Sequence, residues 1–276
     1  MEISVPVTLA VLGAALLHAG WNALVKSSTD KQLDSTAVGV GGALVSLAAL
    51  PWLALPAPES WPWLAASAVV HILYFAFLAG AYRWGELTYS YPIMRGGGPM
   101  IVALAGALVL GEVLAPGQTL GVVLVCAGIL AFASGRHDRR ATWFALANAV
   151  VIAAYTLIDG QGARLSQAPV SYALWFFVAN GVVLGSVVLA QRGRELPAYL
   201  WRHWGRTLAG GALSVGSYGI ALWAMTRAPI ALVAVLRETS VIFGAILGAL
   251  FLNEKMTSRR LVATGAVLAG LALLRL

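Results

Sequence analysis

The chain is poor in charge. Asp, Glu, Lys and Arg make up 11% of its 276 residues, where a soluble domain averages about 25%. Polar linkers are scarce as well, the longest hydrophilic stretch being 191–206. Together these exclude a soluble globular fold and leave no room for a separate soluble domain. A single cysteine, Cys126, excludes a disulfide framework. Catalytic strings are missing too. There is no GxxxxGK[ST] loop for nucleotide phosphates, no His-Glu-x-x-His for zinc and no Gly-x-Ser-Gly with a partner His. His18 and His71 lack neighbouring acidic ligands, so neither a metal nor a cofactor is expected. The chain opens Met-Glu-Ile, without the basic start of a cleavable leader, so the first apolar segment reads as a structural helix.

What is present is apolar. Hydrophobic residues reach 60% and the mean hydropathy is +0.83. Ten segments of about 20 residues, from 3–25 to 261–274, are each long enough to cross a bilayer. The fold class is therefore an all-α membrane protein with ten transmembrane helices. The net charge of +7 is a topology signal and calls for no nucleic-acid partner. With the amino terminus outside, 13 basic residues face the cytoplasm and 3 the exterior. The positive-inside rule then predicts both termini outside. Six tryptophans, among them Trp61, Trp84 and Trp201, fall at segment ends as an interfacial belt.

The two halves resemble each other. A shift of 142 positions brings Arg95 onto Arg237, Gly106 onto Gly248, Glu112 onto Glu254 and Gly128 onto Gly270. The boundaries are 1–134 and 135–276, within a single transmembrane domain. Five helices per copy is an odd number, so the second copy inserts upside down. Inverted repeats around a central cavity are a signature of secondary transporters. Two halves in one chain make a monomer sufficient, although a homo-oligomer stays open.

Charges inside spans point to a substrate pathway. Arg95 and Arg237 lie several residues into their helices and, entering from opposite sides, are expected in opposite halves of the bilayer. Around Arg95, Pro92 removes a backbone donor, Gly96, Gly97 and Gly98 strip the helix of side chains, and Pro99 follows. The segment reads as a kinked or interrupted helix lining a cavity, the alternative being close helix packing on the glycines. The second copy has no glycine triplet there and carries Glu238 instead. His71, Tyr74 and Tyr82 share a helix face. With Trp21, Tyr155 and Tyr218 they form a candidate set for a planar zwitterion, whose carboxylate would meet arginine and whose ammonium would meet Glu238 or ring faces. Ordinary helix packing is the competing reading for each ring. Glu112 and Glu254 are expected to cap the helix that follows each of them.

Residues 110–131, LGEVLAPGQTLGVVLVCAGILA, and 252–274, LNEKMTSRRLVATGAVLAGLALL, resemble the two copies of the EamA-type repeat of the drug/metabolite transporter superfamily. Within it, the chain resembles exporters of aromatic amino acids of the YddG type. The resemblance implies a ten-helix inverted-repeat fold in a bacterial inner membrane. It also implies secondary transport of a small molecule without ATP, by alternating access. Efflux of lipophilic cations is the alternative and would need a deep acidic residue, for which Glu238 and Asp159 are the candidates. An intramembrane enzyme is a third reading, without a motif to carry it.

Overall fold

A computed structural model describes residues 3–133, 135–251 and 258–274. Twelve α-helices account for the described architecture: α1 Val5–Lys26, α2 Lys31–Ala49, α3 Trp61–Trp84, α4 Leu87–Leu110, α5 Pro116–Leu130, α6 Arg139–Leu165, α7 Pro169–Arg192, α8 Glu195–Arg202, α9 Trp204–Met225, α10 Ile230–Arg237, α11 Ser240–Phe251 and α12 Ser258–Leu273. Among the described residues, eight helical stretches are long and apolar enough to cross a membrane, α10 with the start of α11 counting as one of them. Two shorter apolar helices, Pro116–Leu130 and Leu261–Leu273, accompany them. The chain is an integral membrane protein.

Local chemistry sets the helix ends. Proline stands in the first turn of α1, α3, α5 and α7, where its missing N–H is not needed. Asp30 Oδ1 accepts from the Leu33 amide at 3.0 Å and caps α2. Asp138 Oδ1 does the same for Arg140 at 2.8 Å and caps α6. Gly111, at φ +67°, ends α4 in the left-handed conformation that favours glycine. The polar stretch after α7 forms the short helix α8, whose neighbour Trp204 and own Trp201 are exposed.

Leucine and valine cover the outer faces, while Asp159, Asn148, Glu238 and His71 are buried. That inversion of the soluble pattern follows from a solvent that cannot hydrogen-bond. The helices pack in recurring pairs: α3 on α6 and α1 on α9, α4 on α6 and α1 on α10 and α11, α2 on α7, α5 on α12. The α5–α12 crossing is close. A Cβ at Gly121 would stand 2.7 Å from the Gly270 carbonyl oxygen, and one at Gly270 would stand 2.8 Å from that of Gly121. Glycine is the residue that lets two backbones touch there.

The loops gather at two ends. At one, Arg192 binds Asp30 at 2.7 Å and Arg206 binds Asp34 at 3.1 Å. Gly85 bridges to His137 at the same end, and Lys31, Glu86 and Arg136 border one open depression there. At the other, the Ala57 amide donates to Ser166 O at 2.9 Å, and Glu112 binds Arg164 at 2.5 Å. Arg164 also donates to Met225 O and Ala228 O, at 2.8 and 3.1 Å. Among the described loops, the basic residues other than Arg164 and Arg227 belong to the first end. α1 starts and α12 finishes at the second.

Three sequence expectations change. α4 is helical without interruption through Pro92, Gly96, Gly97, Gly98 and Pro99. The glycines make room for neighbours: a Cβ at Gly96 would lie 2.9 Å from Leu130 Cγ, one at Gly97 3.1 Å from Ala149 Cβ, and one at Gly98 2.8 Å from Ile152 Cγ2. The interruption is in the other half, between α10 and α11. There the Glu238 and Thr239 amides donate three residues back, to Val235 O and Leu236 O, a tightened turn. Finally, Glu112 caps α10, not the adjacent α5, its Oε2 accepting from the Ile230 amide at 2.8 Å. The start of α5 is served by Gln118 Oε1, which accepts from the Ala115 amide. Glu254 lies outside the described residues.

Candidate functional site

The break between α10 and α11 puts Glu238 against α4. Glu238 Oε1 receives Arg95 Nη2 at 3.0 Å, and the same nitrogen donates to Ser240 Oγ at 3.3 Å. Arg95 therefore has an internal partner, supplied by the opposite half of the chain. The pair is not sealed: the side chains keep 13% and 5% of their surface open. Nor is it saturated, because Arg95 Nε and Glu238 Oε2 have no partner. An unpaired polar atom held away from water costs about 1–3 kcal/mol, so both atoms invite a ligand or water. Tyr91, one turn before Arg95, faces the same pair.

Arg237 ends α10 and differs from Arg95. It makes no ion pair among the described residues, and its Cζ lies 5.2 Å from the centre of the Tyr218 ring. A cation on a ring face gains about 0.5–2 kcal/mol, which leaves the guanidinium donors available. Arg95 and Arg237 feel each other's charge, and both act on His18. Both charges therefore act on one region of the bundle. Two guanidinium groups against one carboxylate leave a positive charge uncompensated, which favours an anion there.

A file of rings leads away from Arg237. Tyr218 packs on Phe176 at 5.2 Å between centroids, Phe176 on His71 at 4.7 Å, His71 on Tyr155 at 4.3 Å and Tyr155 on Tyr74 at 5.8 Å. Four of the sequence candidates, His71, Tyr74, Tyr155 and Tyr218, are thereby brought together across α3, α6 and α9. Phe176 on α7 completes the file and had no signal beyond being one apolar ring among many. Tyr82 makes no ring contact with the file among the described residues, but packs on the same cluster as Tyr74 and Tyr155, around Ile93 and Met94, and borders the open depression at the basic end. Trp21 stands apart, edge-on to His18 at 5.0 Å. Behind the file sits Asp159 on α6, whose oxygens accept from Tyr218 at 2.5 Å and Tyr172 at 3.2 Å. Its signal was available, as an acid deep inside an apolar span.

These features define a polytopic helical membrane protein with a charged, aromatic centre. Comparison gives the class a family. The model of the EamA-like transporter family matches residues 139–276, half of the chain, and the chain belongs to that family. A solved crystal structure, described only as that of a protein, is similar in fold at a TM-score of 0.74 over 98% of each chain, with 18% identity. At that identity the likeness concerns the fold alone. No curated protein matches the sequence. Family membership points to a transporter of small molecules rather than to an enzyme.

Proposed function

We propose that the protein is a secondary exporter of small zwitterionic metabolites, aromatic amino acids foremost, working by alternating access in a bacterial inner membrane. The observation that carries this is Arg237, a deep cation whose donors face no carboxylate among the described residues and whose guanidinium rests on the Tyr218 ring. A substrate carboxylate there would accept charge-assisted hydrogen bonds, Glu238 Oε2 would accept from an ammonium, and the ring file would take the side chain. The pairing of Glu238 with Arg95 counts against lipophilic cations, since that acid is already neutralised.

The helix packing supports two inverted halves, 1–134 and 135–276. Exchanging the first five spans for the second five turns α3 on α6 into α9 on α1, and α4 on α6 into α10 and α11 on α1. The pairs α2 on α7 and α5 on α12 map onto themselves. The glycine crossing obeys the same exchange: Gly121 against Gly270 becomes Ala263 against Gly128, and a Cβ at Gly128 would lie 3.1 Å from the Ala263 oxygen. Rocking of such halves is how secondary transporters alternate access. α1 starts and α12 finishes at the end poor in basic residues, which fits an exterior location of both termini. A single chain holds both halves, so a monomer suffices.

Reconstitution into proteoliposomes tests the reading. Labelled tryptophan and phenylalanine should cross faster than tetraphenylphosphonium or uracil, with and without a pH gradient. Movement of the lipophilic cation alone would replace this function with the drug-efflux alternative.

A further inference from the structure

Asp159 has no place in the scheme above. It lies six residues from the end of α6, roughly 9 Å deep at the helical rise, and is 0% exposed. It makes no ion pair among the described residues, and an ionised carboxylate in that setting is costly unless hydrogen-bonded or neutralised by a proton. Its surroundings are named easily. Tyr218 on α9 and Tyr172 on α7 donate to its two oxygens. Ser67 and His71 on α3 and Tyr155 on α6 also face it. Beyond them Arg237 rests on the Tyr218 ring, its Cζ 5.2 Å from the centroid. Tyr218 is only partly buried, and its hydroxyl is bound to the sealed acid.

We infer that Asp159 is a proton-binding site, and that its occupancy is linked to ligand binding at Arg237 through Tyr218. The step is a simple one. A proton reaches the carboxylate from hydronium, with the phenol passing its own proton to Asp159. One O–H bond breaks on the phenol and one forms on the acid, and the phenol regains its proton from hydronium, which leaves as water. A ligand carboxylate arriving at Arg237 adds negative charge near Asp159 and occupies the cation on the shared ring. Both effects favour the protonated acid, so proton and ligand bind together. The linkage arm rests on the substrate reading above, whereas the proton site itself does not.

The test uses the full chain in lipid nanodiscs and infrared difference spectra between acidic and alkaline buffer. A protonated-carboxyl band should titrate in the wild type and vanish in Asp159→Asn, and the double variant Arg95→Gln, Glu238→Gln, which removes the other buried acid together with its partner, should keep it. If Asp159→Asn is not monodisperse, Tyr172→Phe serves in its place and should displace the midpoint of the band. Tryptophan should move that midpoint to higher pH in the wild type, by roughly one unit for about 1.4 kcal/mol of coupling, and should move it much less in Tyr218→Phe. Tryptamine, which lacks the carboxylate, should not move it. A band that survives Asp159→Asn, or is indifferent to Tyr172→Phe when that variant stands in, overturns the proton site. A band that tryptophan leaves in place, although calorimetry shows tryptophan binding, overturns the linkage. Absence of tryptophan binding by calorimetry strikes the substrate reading and the linkage, and leaves the proton site to be judged by the band.

Discussion

Arg95 and Arg237 occupy equivalent positions in two halves of one chain, yet they live under different conditions. Arg95 rides on an unbroken helix, pairs with Glu238 and donates to Ser240. Arg237 ends a helix, sits on a ring and finds no acid among the described residues. The position after each arginine makes the difference. It is Gly96 in the first half and Glu238 in the second. Glycine lets α4 press against Leu130. The glutamate turns back across the interface and neutralises the arginine of the other half. Of two arginines that align under the 142-residue shift, one is thus a paired cation and the other an available one.

The largest effect should come from undoing the pair. Glu238→Ala strands Arg95 as a buried, uncompensated charge, and losses of about 3–5 kcal/mol are typical of that event. On heating, the variant should lose monodispersity well below the wild type. Adding Arg95→Gln to it should recover most of the loss, and no recovery would mean that the two residues do not act as a pair. Arg237→Gln belongs to the other side of the comparison. It should fold normally and slow transport of carboxylate-bearing substrates about 10- to 100-fold, the equivalent of one charge-assisted hydrogen bond of about 1.5–3 kcal/mol. Equal damage to tryptamine would instead make Arg237 a packing residue.

Exchanging residues between the halves sharpens the contrast further. Gly98 corresponds to Ser240 under the same 142-residue shift. Gly98→Ser introduces a Cβ 2.8 Å from Ile152 Cγ2 and should destabilise by about 1–3 kcal/mol through overpacking. The reverse change, Ser240→Gly, gives up one hydrogen bond from Arg95 and should cost less in the same thermal assay, about 1 kcal/mol. The smallest effect lies at the basic end, away from both arginines. The Leu33 amide, with help from Arg192, holds the Asp30 carboxyl below its ordinary value of 3.8. A group so depressed contributes stability above that value, lost as pH falls through the folded one. Asp30→Ala should therefore lower stability by about 1 kcal/mol at neutral pH and flatten the acid limb of the stability profile.

The contrast also marks how far the sequence could be read. Apolar runs separated by short polar turns announced the helices, because length and hydropathy alone govern insertion. The repeat announced which arginines correspond. The location of the break was misread because Pro92, Pro99 and three glycines look like interruptions wherever water competes for the backbone. In an apolar medium the same residues are tolerated in a continuous helix and serve close approach. The partner of Arg95 was hidden for another reason: Glu238 is 143 positions away, and only tertiary packing brings it across. Asp159 and its two phenols were likewise scattered over three helices. The ring file joined four of the candidate rings but left Tyr82 and Trp21 outside it, since a shared helix face says nothing of which neighbour it meets.

The carboxylate of Glu112 has a mechanical meaning of its own. One oxygen is bound by Arg164 and the other by the first amide of α10. The turn that closes α4 is thereby bolted to the free end of the shortest membrane-embedded helix. α10 is a lever arm eight residues long, with its elbow at Glu238 and its far end fixed to the other half of the protein. Any tilt of that arm pulls on the turn after α4, and any shift of the turn reaches the elbow where Arg95 is held.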